Sequence, residues 1–284
     1  FLAQAGLAQA GAAVVATSLS AIEAFPLALP LGFQSFDLNA AYKEDFNGAL
    51  RKVAGLGYQW IDYVWMGGSA GASPAVAAMS GKDVRKSFDA AGLACPNCHF
   101  SWTSLNDDYD KTIAIAHDLG LKTLVCQSVN AKTKTADGWK WHADGLNELA
   151  RRTKKDGILT GYHNHPTEFK EVEGKLPFEI LASGTDPALV KFQLDLGSVA
   201  VAGHDPLATM SKYQGRLFSI HAKDVKDGQI GIAVGEGTLD WKALFTAAKK
   251  QGLMNYAVET GARADVVWDK LKRSIDYLHD MKAV

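Results

Sequence analysis

Apolar residues follow two alternating patterns along most of the chain. From Leu29 onward, short runs rich in β-branched and aromatic residues are each followed by a stretch with apolar residues near helical spacing. The first pattern predicts eight strands, at residues 29–36, 58–65, 93–102, 122–128, 158–165, 190–196, 217–225 and 255–260. The second pattern predicts eight helices, at residues 41–55, 82–91, 108–119, 139–156, 177–183, 206–213, 241–251 and 266–281.

Strands that alternate with helices favour parallel pairing, because each helix returns the chain to the edge where the next strand begins. Residues 29–284 have nearly the length of a (β/α)8 barrel, which is typically about 250 residues. We therefore predict an α/β protein with a single (β/α)8, or TIM, barrel domain over residues 29–284. An open doubly wound sheet is the alternative. It is disfavoured because the glycine-containing GEGTLDW (235–241) precedes a helix and is not a phosphate-binding turn after a strand.

The first 28 residues differ in composition from the rest of the chain. They are rich in alanine, and Glu23 is their one charged residue. This composition is typical of the apolar part of an export signal, here of the twin-arginine kind and without its basic start. We predict an export-signal remnant over residues 1–28, a mature protein that begins near Phe25, and a periplasmic location. The alternative is an N-terminal helix that closes the barrel of a cytoplasmic protein.

Charge and cysteine content narrow the class of protein. Thirty Lys and Arg residues against 31 Asp and Glu give a net charge of −1, which disfavours a basic nucleic-acid binder. A mean hydropathy of −0.07 argues against a polytopic membrane protein. Three cysteines are too few for a disulfide scaffold. A soluble enzyme or binding domain is the remaining expectation.

Ligand-type side chains recur at the ends of the last four predicted strands. They are His163 on strand five, Asp195 on strand six, His221 on strand seven and Glu259 on strand eight. The spacings are each about one strand–helix unit, so the four side chains should lie at one level, at the end of the barrel where such enzymes carry their chemistry. Two imidazoles and two carboxylates there suit a divalent ion such as Mn²⁺, Co²⁺ or Zn²⁺.

Other residues at this level are candidates for contact with a substrate. His165 alternates with His163, so both point to the same face of strand five, and either one could be the metal ligand. His99 ends strand three, and Trp102 beyond it could form the floor of a sugar pocket. The segment Cys95–His99 has the CxxCH pattern of haem attachment and of thiol redox motifs. Because it lies inside an apolar strand, we predict structural thiols instead.

Five segments carry a family resemblance. They are GYHNHPTEF (161–169), QLDLGSVAVAGHDP (193–206), SIHAKD (219–224), GEGTLDW (235–241) and AVET (257–260). With them the sequence resembles the xylose-isomerase-like TIM-barrel family, often labelled sugar phosphate isomerases/epimerases. The resemblance covers strands five to eight. The first half of the chain matches only in its alternation of strands and helices and in HFS (99–101).

The resemblance implies a divalent metal held by His163, Asp195, His221 and Glu259. Many relatives have a glutamate at the strand-five position that also serves as acid and base, whereas this chain has His163. Glu168 lies nearby in the sequence and is a candidate to supply the missing carboxylate or to contact substrate. His165 matches a polar residue that touches substrate in some relatives.

The chemistry expected of such a site begins with a ketone chelated by the metal ion. Glu259 would remove the proton from the neighbouring carbon, and His163 or His165 would be the partner acid. Lys223 would hold a substrate oxygen, unless it pairs with Asp224 or Glu259. We predict a metal-dependent isomerase or epimerase of a sugar or keto-sugar derivative. The alternative is a metal-assisted lyase or hydrolase of 3-keto-glycosides, in which a leaving group is expelled from the next carbon.

Two further functions remain as competing hypotheses. Apurinic endonucleases share the fold, but they need a multi-zinc cluster and a basic DNA-binding face, which the near-neutral charge disfavours. A non-catalytic sugar-binding barrel would bind its ligand without a metal ion. The expected partner is a small carbohydrate, with no nucleic acid and no membrane after processing, and the oligomeric state is left open.

Overall fold

The protein is described by a computed structural model over residues 25–67, 73–129 and 132–281. Eight parallel strands close into a barrel, in which the last strand pairs with the first. The barrel strands are β1 Leu31–Gln34, β2 Trp60–Val64, β3 Ala94–Phe100, β4 Thr123–Cys126, β5 Leu159–His163, β6 Val190–Asp195, β7 Leu217–Ala222 and β10 Asn255–Val258. The predicted α/β class and single (β/α)8 barrel are confirmed.

Two further strands form a hairpin outside the barrel. Strands β8 Asp224–Lys226 and β9 Gln229–Ile232 pair antiparallel. The seventh predicted strand was therefore too long, because the chain leaves the barrel after Ala222 and turns into this hairpin.

Helices cover the outside of the barrel. All eight helices predicted from the sequence are present. They are α1 Asn39–Gly55, α3 Gly81–Ala91, α5 Tyr109–Leu119, α6 Ala136–Thr153, α7 Pro177–Gly184, α9 Pro206–Lys212, α10 Trp241–Lys249 and α11 Val267–Met281. Three short helices were not predicted: α2 Pro74–Ala77, α4 Trp102–Asn106 and α8 Leu196–Val201. In the described part of the chain, short 3-10 helices are at Ser35–Leu38, Lys154–Asp156 and Pro166–Phe169.

Local sequence signals fix where the helices begin and end. Helix α3 starts with a capping box, in which Ser80 accepts from the backbone of Asp83 and Asp83 accepts from that of Ser80. It ends at Gly92, whose φ of +73° costs glycine less than it would a residue with a side chain. Such caps position each helix end, so that the following strand enters the barrel in register.

The core lies between the strands and the surrounding helices. Side chains such as Phe33, Leu124 and Phe192 are completely buried, and each contributes about 1.5–3 kcal/mol to folding. Cys95 and Cys98 in β3 are buried free thiols whose pKa is raised by burial. The prediction of structural thiols in a core strand agrees with this placement.

The amino-terminal prediction lies largely outside the described residues. Residues 1–24 are not described, so the export signal, the alternative helix and the periplasmic location stay predictions. Phe25 and Leu27 are buried in the core, so the folded unit includes residues before position 29. No helix in the described part of the chain is both long and apolar enough to span a bilayer.

Candidate metal centre

Four side chains predicted as metal ligands meet at the C-terminal end of the barrel. His163 ends β5 and Asp195 ends β6. His221 is the penultimate residue of β7, where it lies opposite Asp195, and Glu259 directly follows β10. One ligand-type atom from each of the four lies within 4.8 Å of the others, and all four side chains are buried. The fold therefore forms a cluster that could hold a metal ion.

His163 has the properties of a ligand. Its Nδ1 is buried and has no hydrogen-bond partner among the described residues. Burial and the nearby imidazole of His221 lower the pKa of His163 well below its usual value, so the ring is neutral at neutral pH. A neutral imidazole is the form that binds a metal ion, and a buried nitrogen without a partner is otherwise costly. The donor set therefore fits a divalent ion.

A buried ammonium group bridges the two carboxylates of the cluster. Lys223 Nζ donates to Glu259 Oε1 at 2.6 Å and to Asp195 Oδ2 at 3.1 Å. Burial alone would lower the pKa of Lys223, but Asp195 and Glu259 raise it above its usual range. Burial alone would raise the pKa of Glu259, but Lys223 and His221 hold it well below its usual value. At neutral pH Lys223 is therefore a cation and Glu259 an anion.

His221 lies between two carboxylates. Its Nδ1 is 2.7 Å from Glu259 Oε2, and its Nε2 is 2.7 Å from Asp62 Oδ2. Burial works against protonation, but the hydrogen bonds to Asp62 and Glu259 raise the pKa of His221 to about 10. The two contacts fix the ring plane and direct Nδ1 toward the cluster. Without a metal ion both ring nitrogens carry a proton at neutral pH; to bind an ion through Nδ1, the ring would release the proton shared with Glu259, while Asp62 would keep the one on Nε2.

Asp195 has a second, structural function. Its Oδ1 accepts a hydrogen bond from the backbone N–H of Ser198 at 2.9 Å, and its Oδ2 accepts one from the Ser198 hydroxyl at 2.6 Å. Asp195 therefore caps the N-terminus of α8 and also belongs to the cluster. Its replacement would disturb both the helix start and the candidate site.

Asp62 was not predicted from the sequence. This carboxylate lies in the middle of β2 and accepts hydrogen bonds from His99, Gln193 and His221, at 3.1, 2.7 and 2.7 Å. Burial alone would raise the pKa of Asp62, but His99 and His221 hold it well below its usual value. The sequence signal for Asp62 was a single carboxylate within an apolar strand. A carboxylate in such a place is costly to bury unless it is paired. Gln34 was missed too, and its Nε2 lies 3.3 Å from His99 Nε2.

A cavity of about 700 Å³ adjoins the cluster. His163 and Glu259 line it, together with His165 and two residues predicted to contact substrate, His99 and Lys223. Among the described residues that line the cavity, Glu259 is the only carboxylate. The other ionisable side chains of this lining are three imidazoles and one ammonium group. The cavity thus combines one carboxylate with imidazole and ammonium groups.

The structure places two predicted substrate contacts away from this cavity. Glu168 is buried under the loop after β5, where it accepts hydrogen bonds from the Tyr162 hydroxyl at 2.5 Å and from the His165 backbone at 2.9 Å. It therefore does not bring a carboxylate to the cluster in place of the strand-five glutamate. Trp102 packs against α6, with its ring 4.3 Å from that of His142.

The structure decides between the two predicted partners of Lys223. The ammonium pairs with Glu259 and not with Asp224, which instead organises the following loop. Asp224 Oδ2 accepts from the backbone of Gly235 at 2.9 Å, the backbone of Gly237 at 3.0 Å and the indole of Trp241 at 2.8 Å. Two of the segments that carried the family resemblance, SIHAKD and GEGTLDW, are therefore joined by this one buried carboxylate.

The fold and the site together define the class of protein. It is a TIM barrel with a buried His/Asp/Glu cluster at the carboxyl ends of its last four barrel strands, the end at which such barrels carry their active sites. The chain belongs to the xylose isomerase-like TIM barrel family, whose family model matches residues 50–281.

Similar proteins are enzymes. An inosose dehydratase from Clostridium beijerinckii is 26% identical over 222 residues, which cover 69% of this chain and 70% of that protein. Inosose dehydratase 2 from Bacillus cereus is 26% identical over 190 residues, so the match spans 61% of its length. Both relatives are named as dehydratases of an inosose.

Solved structures show the same architecture. A sugar phosphate isomerase/epimerase from Parabacteroides distasonis is 25% identical, with a TM-score of 0.77 over 88% of this chain and 93% of that one. The IolI protein, solved with a bound zinc atom, is 16% identical and has a TM-score of 0.62 over 89% of this chain and 99% of that one. The second likeness shows the fold alone.

Proposed function

We propose that the protein is a metal-dependent lyase that removes the proton beside the carbonyl group of a keto-sugar or keto-cyclitol and expels an oxygen substituent from the next carbon. The observation that carries this proposal is the composition of the cavity, with the single carboxylate of Glu259 facing imidazole and ammonium groups. Elimination needs one base and a donor for the leaving oxygen, whereas a two-carboxylate epimerase would present a second carboxylate.

A divalent ion held by His163, Asp195, His221 and Glu259 would polarise the substrate carbonyl and stabilise the negative charge that develops on its oxygen. Mn²⁺, Co²⁺ and Zn²⁺ all accept this set of nitrogen and oxygen donors.

The protein's own side chains supply the remaining steps. Glu259 takes the proton, and the electrons of the broken C–H bond form a double bond to the carbonyl carbon while the carbonyl electron pair moves to its oxygen. In a second step the carbonyl group re-forms, the double bond shifts to the next carbon and the bond to the leaving oxygen breaks. His165, which is exposed at the cavity, donates a proton to that oxygen. Lys223 keeps its positive charge and therefore donates a hydrogen bond to a substrate oxygen, as it does here to Glu259.

The relatives favour elimination but leave a second candidate. Inosose dehydratases are named for loss of water from a keto-cyclitol. The structural neighbour from Parabacteroides distasonis is named an isomerase/epimerase, which favours return of the proton to the same intermediate. Both reactions share the first proton transfer and differ in the fate of the intermediate that it forms.

Incubation with an inosose and with a 3-keto-glucoside in D₂O, with Mn²⁺ or Zn²⁺ present, separates the candidates. We expect a product that has lost water or the glycosidic substituent, seen by mass spectrometry and NMR. Deuterium uptake at the carbon beside the carbonyl, with inversion at that carbon and no loss of water or substituent, would identify an epimerase instead. If neither exchange nor product is detected, both candidates are wrong.

Two variants test which residue acts as the base and which acts as the acid. Glu259→Gln should abolish both deuterium exchange and product formation, because the base and one of the four candidate metal ligands are lost together. His165→Ala should slow product formation at least about tenfold while exchange continues, since general acid catalysis contributes about 10²–10⁴-fold. Equal losses of exchange and elimination in His165→Ala would contradict the assignment of His165 as the acid.

A further inference from the structure

Three large apolar side chains are exposed at the cavity beside the cluster. Phe36 is 61% exposed, Ile230 is 43% exposed and Val201 is 37% exposed, and all three line that cavity. Exposed apolar side chains that gather at one pocket mark a binding surface, whereas isolated ones are ordinary. We call these three residues the apolar mouth.

Phe36 faces outward because the residues on either side of it are buried. Phe36 lies in the 3-10 helix that follows β1, between the buried residues Ser35 and Asp37. The carboxylate of Asp37 accepts hydrogen bonds from the backbone of Thr260 at 2.6 Å and of Gly261 at 2.9 Å. The ring therefore points to the cavity from a backbone that is tied to the loop after β10.

Ile230 is presented by the β8–β9 hairpin. Asp227 and Gly228 form its turn with positive φ values of 52° and 73°, the conformation that an Asp-Gly hairpin turn adopts. The backbone N–H of Gly231 donates to Thr260 O at 2.9 Å, which joins the hairpin to the same loop that holds Phe36 in place. Both apolar side chains are thus displayed by ordered backbone.

We propose that the apolar mouth is a subsite for an apolar substituent of the substrate. Resting on the proposed function, this makes the substrate a keto-sugar with an aromatic or alkyl group attached, and not a free sugar. The polar groups of the cavity, among them His99 and Lys223, would bind the hydroxylated ring. A cavity of about 700 Å³ is in the range of drug-sized ligands and exceeds what a lone sugar ring fills.

The test compares the binding of phenyl and methyl β-D-glucopyranoside to the metal-loaded protein by calorimetry. Both compounds lack the carbonyl group, so the proposed reaction does not consume them. We expect the phenyl compound to bind about tenfold more tightly. Phe36→Ala and Ile230→Ala should each reduce this preference at least about threefold. Met254→Ala, which removes an equally exposed apolar side chain from before β10 and outside the cavity lining, should leave it unchanged.

Three outcomes would overturn the subsite. They are equal binding of the two glucosides, no binding of either, and a phenyl preference that survives in the Phe36→Ala/Ile230→Ala double variant. A change of oligomeric state in that double variant, measured by analytical ultracentrifugation, would identify the mouth as a contact between copies of the chain and would also overturn it. Failure of the proposed reaction is measured separately by deuterium exchange, so a phenyl preference without exchange would count against the proposed reaction and not against the subsite.

Discussion

Asp62 accepts hydrogen bonds from the candidate metal ligand His221 and from two further side chains, His99 and Gln193. By accepting from His221 Nε2, it fixes the ring so that the other nitrogen faces Glu259. Carboxylates that orient a ligating histidine in this way typically change metal affinity 10–100-fold when they are replaced. We expect Asp62→Asn to bind Mn²⁺ or Zn²⁺ at least about tenfold more weakly, as measured by competition with a chelator.

Glu168→Gln is the matched control for Asp62→Asn. Glu168 is also a buried carboxylate with hydrogen-bonded neighbours, but it lies outside the cluster. Its replacement should lower thermal stability and leave metal affinity unchanged. Equal loss of affinity in the two variants would show that Asp62 acts through general stability and not by positioning His221.

At the scale of elements, the side chain of Asp224 binds the loop between the β8–β9 hairpin and α10 through hydrogen bonds. The donors that Asp224→Ala would leave without this acceptor include the backbone N–H groups of Gly235 and Gly237 and the Trp241 indole. Each buried donor without a partner costs about 1–3 kcal/mol, so we expect a loss of about 3 kcal/mol in the free energy of unfolding, measured in urea. Asp240→Ala removes only the exposed N-cap of α10 and should cost about 1 kcal/mol. If Asp224→Ala costs no more than Asp240→Ala, Asp224 does not organise this loop.

Long elements were predictable from the sequence, and short ones were not. A strand such as β7 or a helix such as α6 is long enough for the period of its apolar positions to be recognised. Helices α4 and α8 have five and six residues, so their sequences contain little more than one helical turn. Their starts depend on the side-chain caps Ser101 and Asp195, which are visible in the sequence but common in other contexts.

The candidate ligands were predictable because a barrel places successive strand ends at one level. The same rule predicts nothing about residues inside the barrel, so Asp62 and Gln193 were missed. The rule also does not predict the direction in which the side chain of a loop residue points. Glu168 was expected near the cluster, but its carboxylate turns toward Tyr162 and the backbone of its own loop. Such choices depend on hydrogen bonds that form only in the folded chain.

For the whole molecule, the buried His142 links stability to pH. Burial lowers its pKa from 6.5 to about 4 in the folded state. Above pH 6.5 the ring is neutral in both the folded and the unfolded chain. As the pH falls toward 4, the unfolded chain takes up a proton that the folded protein excludes, so stability is lost, by about 3 kcal/mol in total.

The measurement is the free energy of unfolding at pH 7 and pH 4. In His142→Leu the loss of stability between these values should be smaller than in the wild type by about 3 kcal/mol. His117→Gln, which replaces an exposed histidine on α5, should follow the wild type. If the wild type and His142→Leu lose the same stability, His142 is not excluded from protonation in the folded protein.

Calorimetric titration of the metal-stripped protein with Zn²⁺ and Mn²⁺ tests the candidate metal centre most directly. His163→Ala is the informative variant, because the side chain belongs to the cluster while its Nδ1 has no hydrogen-bond partner among the described residues. His165→Ala, from the same cavity but outside the cluster, is its control. We expect about one ion per chain in the wild type and in His165→Ala, and binding at least about tenfold weaker in His163→Ala. Absence of binding in the wild type, or equal affinity in all three proteins, would contradict a metal centre at His163, Asp195, His221 and Glu259.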